Sequence, residues 1–132
     1  MAITSELPTW YADALGSLAS GDIDGWMSMF APDAVHEFPF APEGFAHRLE
    51  GKEAIAAYMS ERVIGGPLHH LSYDDVRVRE SGDEVIIEAV GHKRRIADGT
   101  PLDMHYVWFL TVHDGLVTHF RDYMNPLEIQ AR

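Results

Sequence analysis

The chain contains no cysteine and few basic residues, and these two shortages exclude several classes of protein. Its 132 residues include no cysteine, 10 lysines and arginines, and 21 aspartates and glutamates. Without cysteine there is no disulfide framework, thiolate nucleophile or thiolate metal site. The formal net charge of −11 would repel nucleic acids and anionic membranes, so we expect neither as a partner.

Long apolar runs are also lacking. No stretch approaches the roughly 20 apolar residues of a membrane-spanning helix, and the first ten residues, MAITSELPTW, have neither the basic nor the apolar region of a secretory signal. We therefore expect a cytoplasmic protein. A hydrophobic content of 46% is typical of a globular protein, and the length predicts one domain, residues 1–132.

The first half of the chain has the spacing of amphipathic helices. Apolar residues at intervals of three and four predict helices over 5–19, over a second segment that ends before Pro32, and over 52–63. Residues 34–40 have the composition of a short strand, which Pro39 would confine to a sheet edge, and a loop is expected over 41–50.

The second half of the chain has the pattern of β-strands. Alternating residues and turn signals predict strands over 71–80, 84–96, 102–112 and 116–124. Three helices followed by a four-strand meander predict an α+β fold, in which the short strand over 34–40 joins the same sheet. In this fold a curved antiparallel sheet wraps around the three N-terminal helices.

The last hairpin carries the main candidate for chemistry. Asp114 and Gly115 are typical of a two-residue hairpin turn, which would place Val107 opposite Asp122. That register predicts one face formed by His105, Val107, Phe109, Phe120, Asp122 and Met124. A carboxylate on such an apolar face loses hydration and becomes more basic, so Asp122 is the candidate general base.

Extending the register to the preceding strands would add Asp74, Glu88 and His92 to the same face. A longer loop over 97–100 would change this result, because a slip of one residue reverses every side chain. His36, Phe38 and Phe40 alternate on the short strand and are candidate pocket residues. Tyr11 and Tyr58 lie at helical core spacing, and each could direct its hydroxyl at the pocket.

Each catalytic assignment has a structural alternative. Asp122 could be a buried acid that is hydrogen-bonded to Tyr58, Tyr11 or a backbone amide. His105 could assist catalysis beside Asp122, or it could be a core histidine bonded to a carbonyl. His92, His105 and Asp122 could also form a metal triad, but such sets arise by chance in a chain with eight histidines, and we predict no metal and no cofactor.

The other face of the hairpin is too aromatic to be left in water. Tyr106, Trp108, Arg121 and Tyr123 would lie there, with Trp108 opposite Arg121 in a cation–π pair. We therefore predict a homodimer that forms through this face.

Four segments together resemble the SnoaL-like branch of the nuclear transport factor 2 superfamily, which includes ketosteroid isomerase. They are SGDIDGWMSMFAPDAV after the first helix, FPFAP at 38–42, LEGKEAIAAYM, and HDGLVTHFRDYMNPL near the end. The resemblance covers nearly the whole chain. It implies a cone-shaped α+β barrel that encloses an apolar pocket and is usually dimeric. Members include isomerases, cyclases, dehydratases, hydrolases and non-catalytic binding proteins.

The resemblance also bears on the site residues. The tyrosine, general base and oxyanion-hole aspartate of ketosteroid isomerase fall on Ala14, Phe38 and Val107, so steroid isomerisation by that route is not expected. Phenazine-biosynthesis A/B proteins and limonene-type epoxide hydrolases both carry an acidic residue that maps to Asp122. The catalytic histidine of the former maps near Asp74, and the Arg-x-Asp pair of the latter has no counterpart at 88–91.

The leading hypothesis is therefore an acid/base enzyme without a cofactor that acts on a small hydrophobic cyclic or carbonyl compound. Asp122 would move the proton and His105 would assist. Two alternatives remain open, a non-catalytic hydrophobic-ligand-binding domain and an epoxide hydrolase in which Asp122 activates a water.

Overall fold

A computed structural model describes residues 4–130 and shows the α+β architecture that the sequence predicts. The elements are α1 (Thr9–Ser20), α2 (Ile23–Met27), β1 (Phe30–Glu37), β2 (Arg48–Glu50), α3 (Lys52–Met59), β3 (Leu68–Ser81), β4 (Glu84–Arg95), β5 (Pro101–His113), β6 (Leu116–Met124) and α4 (Pro126–Gln130). A π-helical turn, Ser60–Ile64, extends α3. The six strands form one curved, unclosed sheet in the order β2-β1-β6-β5-β4-β3. The pair of β1 with β6 is parallel, and the other pairs are antiparallel.

The first helix ends close to the predicted residue 19 but begins at Thr9, after Pro8, and not at residue 5. Its apolar positions at helical spacing are buried, from Tyr11 to Leu18. Gly21 ends it in the left-handed conformation with φ 86°, which glycine adopts without steric cost. Asp22 then caps α2 by accepting a hydrogen bond from the Gly25 N–H at 3.0 Å.

The region after α2 differs from the prediction. The second helix ends at Met27, and β1 begins at Phe30, so Pro32 lies inside a strand and not after a helix. Proline is accommodated because the β1–β6 register is interrupted between Phe30 and Val35. The prediction that this strand is an edge is wrong, since β2 pairs outside it, within the segment that was expected to be a loop.

The helices cover the concave side of the sheet, here called the inner face. Aromatic side chains form the centre of this core: Tyr11, Trp26, Phe30, Trp108 and Phe120 are each at most 2% exposed. Tyr11 contacts both Trp108 and Phe120, with ring centroids 5.2 and 6.1 Å apart. Within residues 4–130, no helix is long and apolar enough to cross a membrane.

The last hairpin has the predicted turn but not the predicted register. Asp114 and Gly115 have φ 51° and 78°, the positive values that a tight hairpin turn requires. A β-bulge then leaves Thr118 without a partner, since Val112 pairs with Val117 but Thr111 pairs with His119. As a result Trp108, not Val107, lies opposite Asp122.

After this one-residue shift the side chains of β6 point to the predicted faces, whereas those of β5 point to the opposite faces. Phe120, Asp122 and Met124 lie on the inner side, together with Tyr106, Trp108 and Leu110. His105, Val107 and Phe109 lie on the opposite, convex side, here called the outer face. The β4–β5 pairing differs from the predicted register by two residues. Because side chains alternate with a period of two, this shift leaves Glu88 and His92 on the same side of the sheet as His105.

Candidate functional site

A cavity of about 680 Å³ opens between the sheet and the helices. Its wall combines the π-helical turn after α3, the segment after β1, and the neighbouring ends of β3 to β6. Phe38 and Tyr58, both predicted from the sequence, line it, and their rings lie 5.5 Å apart. A cavity of this volume is the size that small-molecule ligands occupy.

Asp122 lies one inward-facing position deeper than Met124, which lines the cavity. One carboxylate oxygen accepts a hydrogen bond from the Trp108 indole N–H at 3.1 Å, and the other lies 3.5 Å from His36 Nε2. The side chain of Asp122 keeps 12% of its exposure. The acid is therefore shielded from bulk water but is not sealed into the core.

His36 and Tyr11 bring further polar groups to this acid. His36 is fully buried and stacks on Phe120 with centroids 4.4 Å apart. In the described part of the chain, neither His36 ring nitrogen nor the Tyr11 hydroxyl has a hydrogen-bond partner. Burial, and then the negative charge of Asp122, raise the pKa of Tyr11, so its phenol stays protonated and able to donate.

An aromatic wall connects Asp122 to the mouth of the cavity. The Trp108 ring stacks on Tyr106 with centroids 4.9 Å apart, and Tyr73 packs against both. No side chain at Gly91 could fit here, because a Cβ would lie 2.9 Å from the Tyr106 ring and 3.0 Å from the Tyr73 ring. Burial raises the pKa of Tyr73, and the charge of Asp122 adds to that effect.

Two basic groups lie at the mouth end of this wall. Lys93 is only 2% exposed, and its ammonium lies 5.0 Å from the centroid of Tyr106 and 2.8 Å from His70 Nδ1. Both Lys93 and His70 line the cavity. Burial lowers the pKa of His70 to about 3, and the positive charge of Lys93 acts in the same direction.

The structure brings together six of the predicted site residues on the inner side of the sheet. Phe38 and Tyr58 line the cavity, His36, Tyr11 and Phe120 lie in the core, and Asp122 lies between the two with its side chain 12% exposed. The catalytic and binding roles that the sequence suggested for these residues remain predictions.

The other predicted site residues lie on the outer face, and their placement in the pocket is wrong. His105 is exposed and pairs with Glu128 at 2.8 Å, so it cannot assist Asp122. Val107 and Phe109 lie on the outer face with it, because the bulge at Thr118 reverses β5. Phe40 is 58% exposed and packs against Tyr123.

The acidic and histidine positions of β3 and β4 are also on the outer face. Glu88 pairs with Arg79 at 2.8 Å. His92 lies between Asp74 at 2.9 Å and Asp103 at 2.7 Å, and hydrogen bonds to these carboxylates, that of Asp74 first, raise its pKa. Asp74 leaves the cavity side because of a second bulge, between Asp74 and Arg77, where Asp75 has φ 51°.

The reversal of β5 also bears on the metal alternative and on the face assigned to the dimer. The metal triad of His92, His105 and Asp122 cannot form, since the histidines and the acid lie on opposite faces. Residues 4–130 contain no cluster of three potential ligands arranged for a metal.

The proposed dimer face is also divided. Tyr106 and Trp108 line the inner side, whereas Arg121 and Tyr123 lie on the outer side. Arg121 stacks on Phe109, 4.5 Å from the ring centroid, and not on Trp108.

Four functional candidates were missed or misplaced by sequence reasoning: Lys93, His70, Tyr106 and Trp108. Alternation along β4 contained a signal for Lys93, because Val85, Ile87 and Ala89 continue through Gly91 to the same side. For Trp108 the signal was its own hydrophobicity, since the more aromatic face of β5 is the one that becomes buried.

The chain belongs to the SnoaL-like domain family, whose family model matches residues 10–120, and its fold is that of the nuclear transport factor 2-like superfamily. It is 36% identical over 117 residues to an uncharacterized PhzA/B-like protein of Pseudomonas aeruginosa, covering 86% of this chain and 80% of the relative.

Solved structures agree with this assignment. The crystal structure of a candidate isomerase from Bacillus subtilis superposes with a TM-score of 0.79 at 29% identity, covering 94% of both chains. That of a candidate polyketide cyclase from Xanthomonas campestris has a TM-score of 0.75 at 21% identity, covering 92% of both chains. At that identity, the second likeness supports the fold alone.

Proposed function

We propose that this protein is an acid/base enzyme without a cofactor, of the isomerase or cyclase type, that acts on a small hydrophobic carbonyl compound. The observation that carries the proposal is the position of Asp122. Its carboxylate lies on the inner face, one inward-facing position from Met124 in the wall of a cavity of about 680 Å³. It accepts a hydrogen bond from Trp108 and lies 3.5 Å from His36.

In this mechanism Asp122 removes a proton from the carbon next to the substrate carbonyl and returns it to the rearranged product, so protons balance over one cycle. The Trp108 N–H holds one carboxylate oxygen in place while the other faces the proton. Unpartnered buried groups such as the Tyr11 hydroxyl cost about 1–3 kcal/mol each. A substrate oxygen reaching them would recover part of that cost, and a neutral phenol can donate to a developing enolate.

The names of the relatives support this class of reaction only in outline. The structural relative at 29% identity is named as a candidate isomerase, and isomerases and cyclases share the step in which a base removes a proton next to a carbonyl. The epoxide-hydrolase alternative loses support, because in residues 4–130 no arginine forms an ion pair with Asp122.

Proton exchange tests the proposal without knowledge of the natural substrate. A panel of hydrophobic cyclic ketones is incubated with the protein in D₂O, and loss of the proton signals next to the carbonyl is followed by NMR. We expect Asp122→Asn to slow exchange at least about 100-fold, the usual contribution of a positioned general base, while ketone binding persists. Asp13→Asn, at an exposed position of α1, is the matched control.

Two results would contradict catalysis by Asp122. If Asp122→Asn exchanges ketone protons as fast as the wild-type protein, another group is the base. If the ketones bind but no exchange occurs in the wild-type protein, the cavity belongs to a non-catalytic binding domain.

A further inference from the structure

We propose that the cavity selects hydrophobic ligands that carry an anionic oxygen group, such as a carboxylate, and that Lys93 and His70 bind this group. The inference rests on the proposed function, since it assigns a substrate class to the same cavity. It adds a recognition site at the opposite end of the aromatic wall from Asp122.

The position of Lys93 is the first argument. Lysine is almost never fully buried, yet Lys93 is 2% exposed and lies in the cavity wall. Its ammonium lies 5.0 Å from the Tyr106 centroid and 5.7 Å from that of Tyr73, so two electron-rich rings stabilise the charge where it lies. A cation held beside an apolar cavity is a strong site for an anion, because the local dielectric constant is low.

His70 is the second argument, because its protonation state is fixed. A lysine ammonium can only donate, so His70 Nδ1 accepts from Lys93 at 2.8 Å and the proton of the neutral ring lies on Nε2. Since its pKa is lowered to about 3, the ring remains in that form at neutral pH. The cavity wall therefore contains two neighbouring donors, the Lys93 ammonium and the Nε2–H of His70. Because the His70 ring is neutral, its hydrogen bond to Lys93 does not neutralise the lysine charge.

The balance of charge in the wall is the third argument. The charged residues of the wall are two cations, Lys93 and Arg62, and one acid, Glu61, so the wall has an excess of one positive charge. The whole chain, by contrast, has a net charge of −11. Arg62 is engaged with the segment after β1. Its guanidinium lies 5.4 Å from the centroid of Phe45 and donates to the Gly44 carbonyl at 3.5 Å. Arg62 is exposed, so Lys93 is the buried cation of the cavity wall.

Distance from Asp122 is the fourth argument. Tyr106 lies beside Lys93 and stacks on Trp108, which in turn donates to Asp122. A ligand anchored at Lys93 can lay its rings along Tyr106 with its reacting carbon towards Asp122. An anionic group bound at Lys93 stays away from the carboxylate, which would repel it, so this arrangement also fixes the direction in which the ligand enters.

A matched pair of aromatic probes tests the inference. Binding of naphthoate and of its uncharged analogue naphthamide is measured by titration calorimetry at neutral pH. We expect wild-type protein to bind naphthoate at least about tenfold more tightly than naphthamide. Lys93→Gln should abolish this preference with little effect on naphthamide, and Lys93→Arg should keep it. Lys52→Gln, which removes the only other lysine of the chain from a position outside the cavity wall, should behave as wild type.

The outcomes separate this inference from the proposed function. Equal binding of the two probes to wild-type protein, or an unchanged preference in a folded Lys93→Gln variant, overturns the anion site and leaves the cavity and Asp122 as proposed. Failure of both probes to bind overturns the anion site, while ketone exchange through Asp122 is still decided by its own assay. If Lys93→Gln does not fold, judged by circular dichroism, the wild-type comparison alone decides.

Discussion

At the scale of single residues, the inner face combines groups that are costly to bury. Asp122, His36 and Lys93 are the polar or charged residues that are buried among aromatic rings in the described part of the chain. Such positions normally destabilise a fold unless partners compensate for the lost hydration. Lys93 lines the cavity, and Asp122 and His36 lie 3.5 Å apart on the same inner face. Such a concentration of polar groups is the pattern expected of a site, whereas a structural core would use apolar residues.

The neutral state of His70 predicts an acid-sensitive fold. Its pKa is about 3 in the folded protein against the ordinary histidine value of 6.5 in the unfolded chain, so between these values the unfolded chain binds a proton that the folded chain does not. The free energy of unfolding should therefore be intact above pH 6.5 and fall as the pH drops towards 3, by at most about 1.4 kcal/mol per pH unit.

Urea unfolding over this pH range provides the measurement. His70→Gln keeps a hydrogen-bond acceptor for Lys93 but cannot titrate, so its unfolding free energy should fall less steeply with acid than that of wild type. The neighbouring exposed residue serves as the control, and His69→Gln should keep the wild-type slope. An identical slope in all three proteins would show that His70 is not buried in its neutral form.

At the scale of secondary-structure elements, two glycines have opposite effects on stability. Gly115 occupies the hairpin turn with φ 78°, and Gly16 lies within α1; a Cβ at either position would meet no atom within 4 Å. We expect Gly115→Ala to destabilise the fold by roughly 1–2 kcal/mol, because an L side chain is strained in the left-handed region.

Gly16→Ala should stabilise the fold by about 0.5–1 kcal/mol, since alanine loses less backbone entropy in a helix. Thermal unfolding of both variants checks the pair, and the two melting temperatures should move in opposite directions. A fall in both would mean that space, and not backbone conformation, limits these positions.

The elements also show which parts of the fold could be predicted from sequence. Helices, turn residues and the order of strands depend on local spacing, and for α1, the cap at Asp22 and the turn at Asp114 the predictions are confirmed. The inward direction of Asp122 was also predicted correctly, because residues on β6 alternate after the bulge as assumed.

The bulge itself could not be predicted, because nothing local marks Thr118 as the extra residue. It forms where β6 must pair with β5 on one side and with β1 on the other, which is a property of the assembled sheet. The bulge at Thr118 is the reason that every predicted site residue of β5 was assigned to the wrong face. The positions assigned on β4 inherited the error, since their register was deduced from that of β5.

At the scale of the whole molecule, the structure changes where a homodimer would form. Val107 lies in a groove of about 430 Å³ on the outer face, together with Tyr123 and the exposed ring of Phe40. We expect the dimer predicted from the sequence to use this groove and not the rings of Tyr106 or Trp108, because Tyr106 lines the cavity and Trp108 is 2% exposed in the core.

Light scattering after gel filtration would measure this assembly. Wild-type protein should have the mass of two chains, and Val107→Glu should have the mass of one, since a carboxylate on each side would be desolvated without a partner. Leu116→Glu, at an exposed apolar position beside the hairpin turn, should remain dimeric. A monomeric wild-type protein would contradict the assembly altogether.

The unpaired residue in the final ribbon makes this sheet sensitive to insertions and deletions. If Thr118 were lost, the remaining strand would keep its composition but rotate by half a turn, exchanging Asp122 for its neighbours beneath the cavity. Two relatives that differ by one residue here would thus present different chemistry to a ligand despite similar sequences. Equivalent positions in this ribbon must therefore be established by three-dimensional superposition, because counting residues from the turn equates side chains on opposite faces.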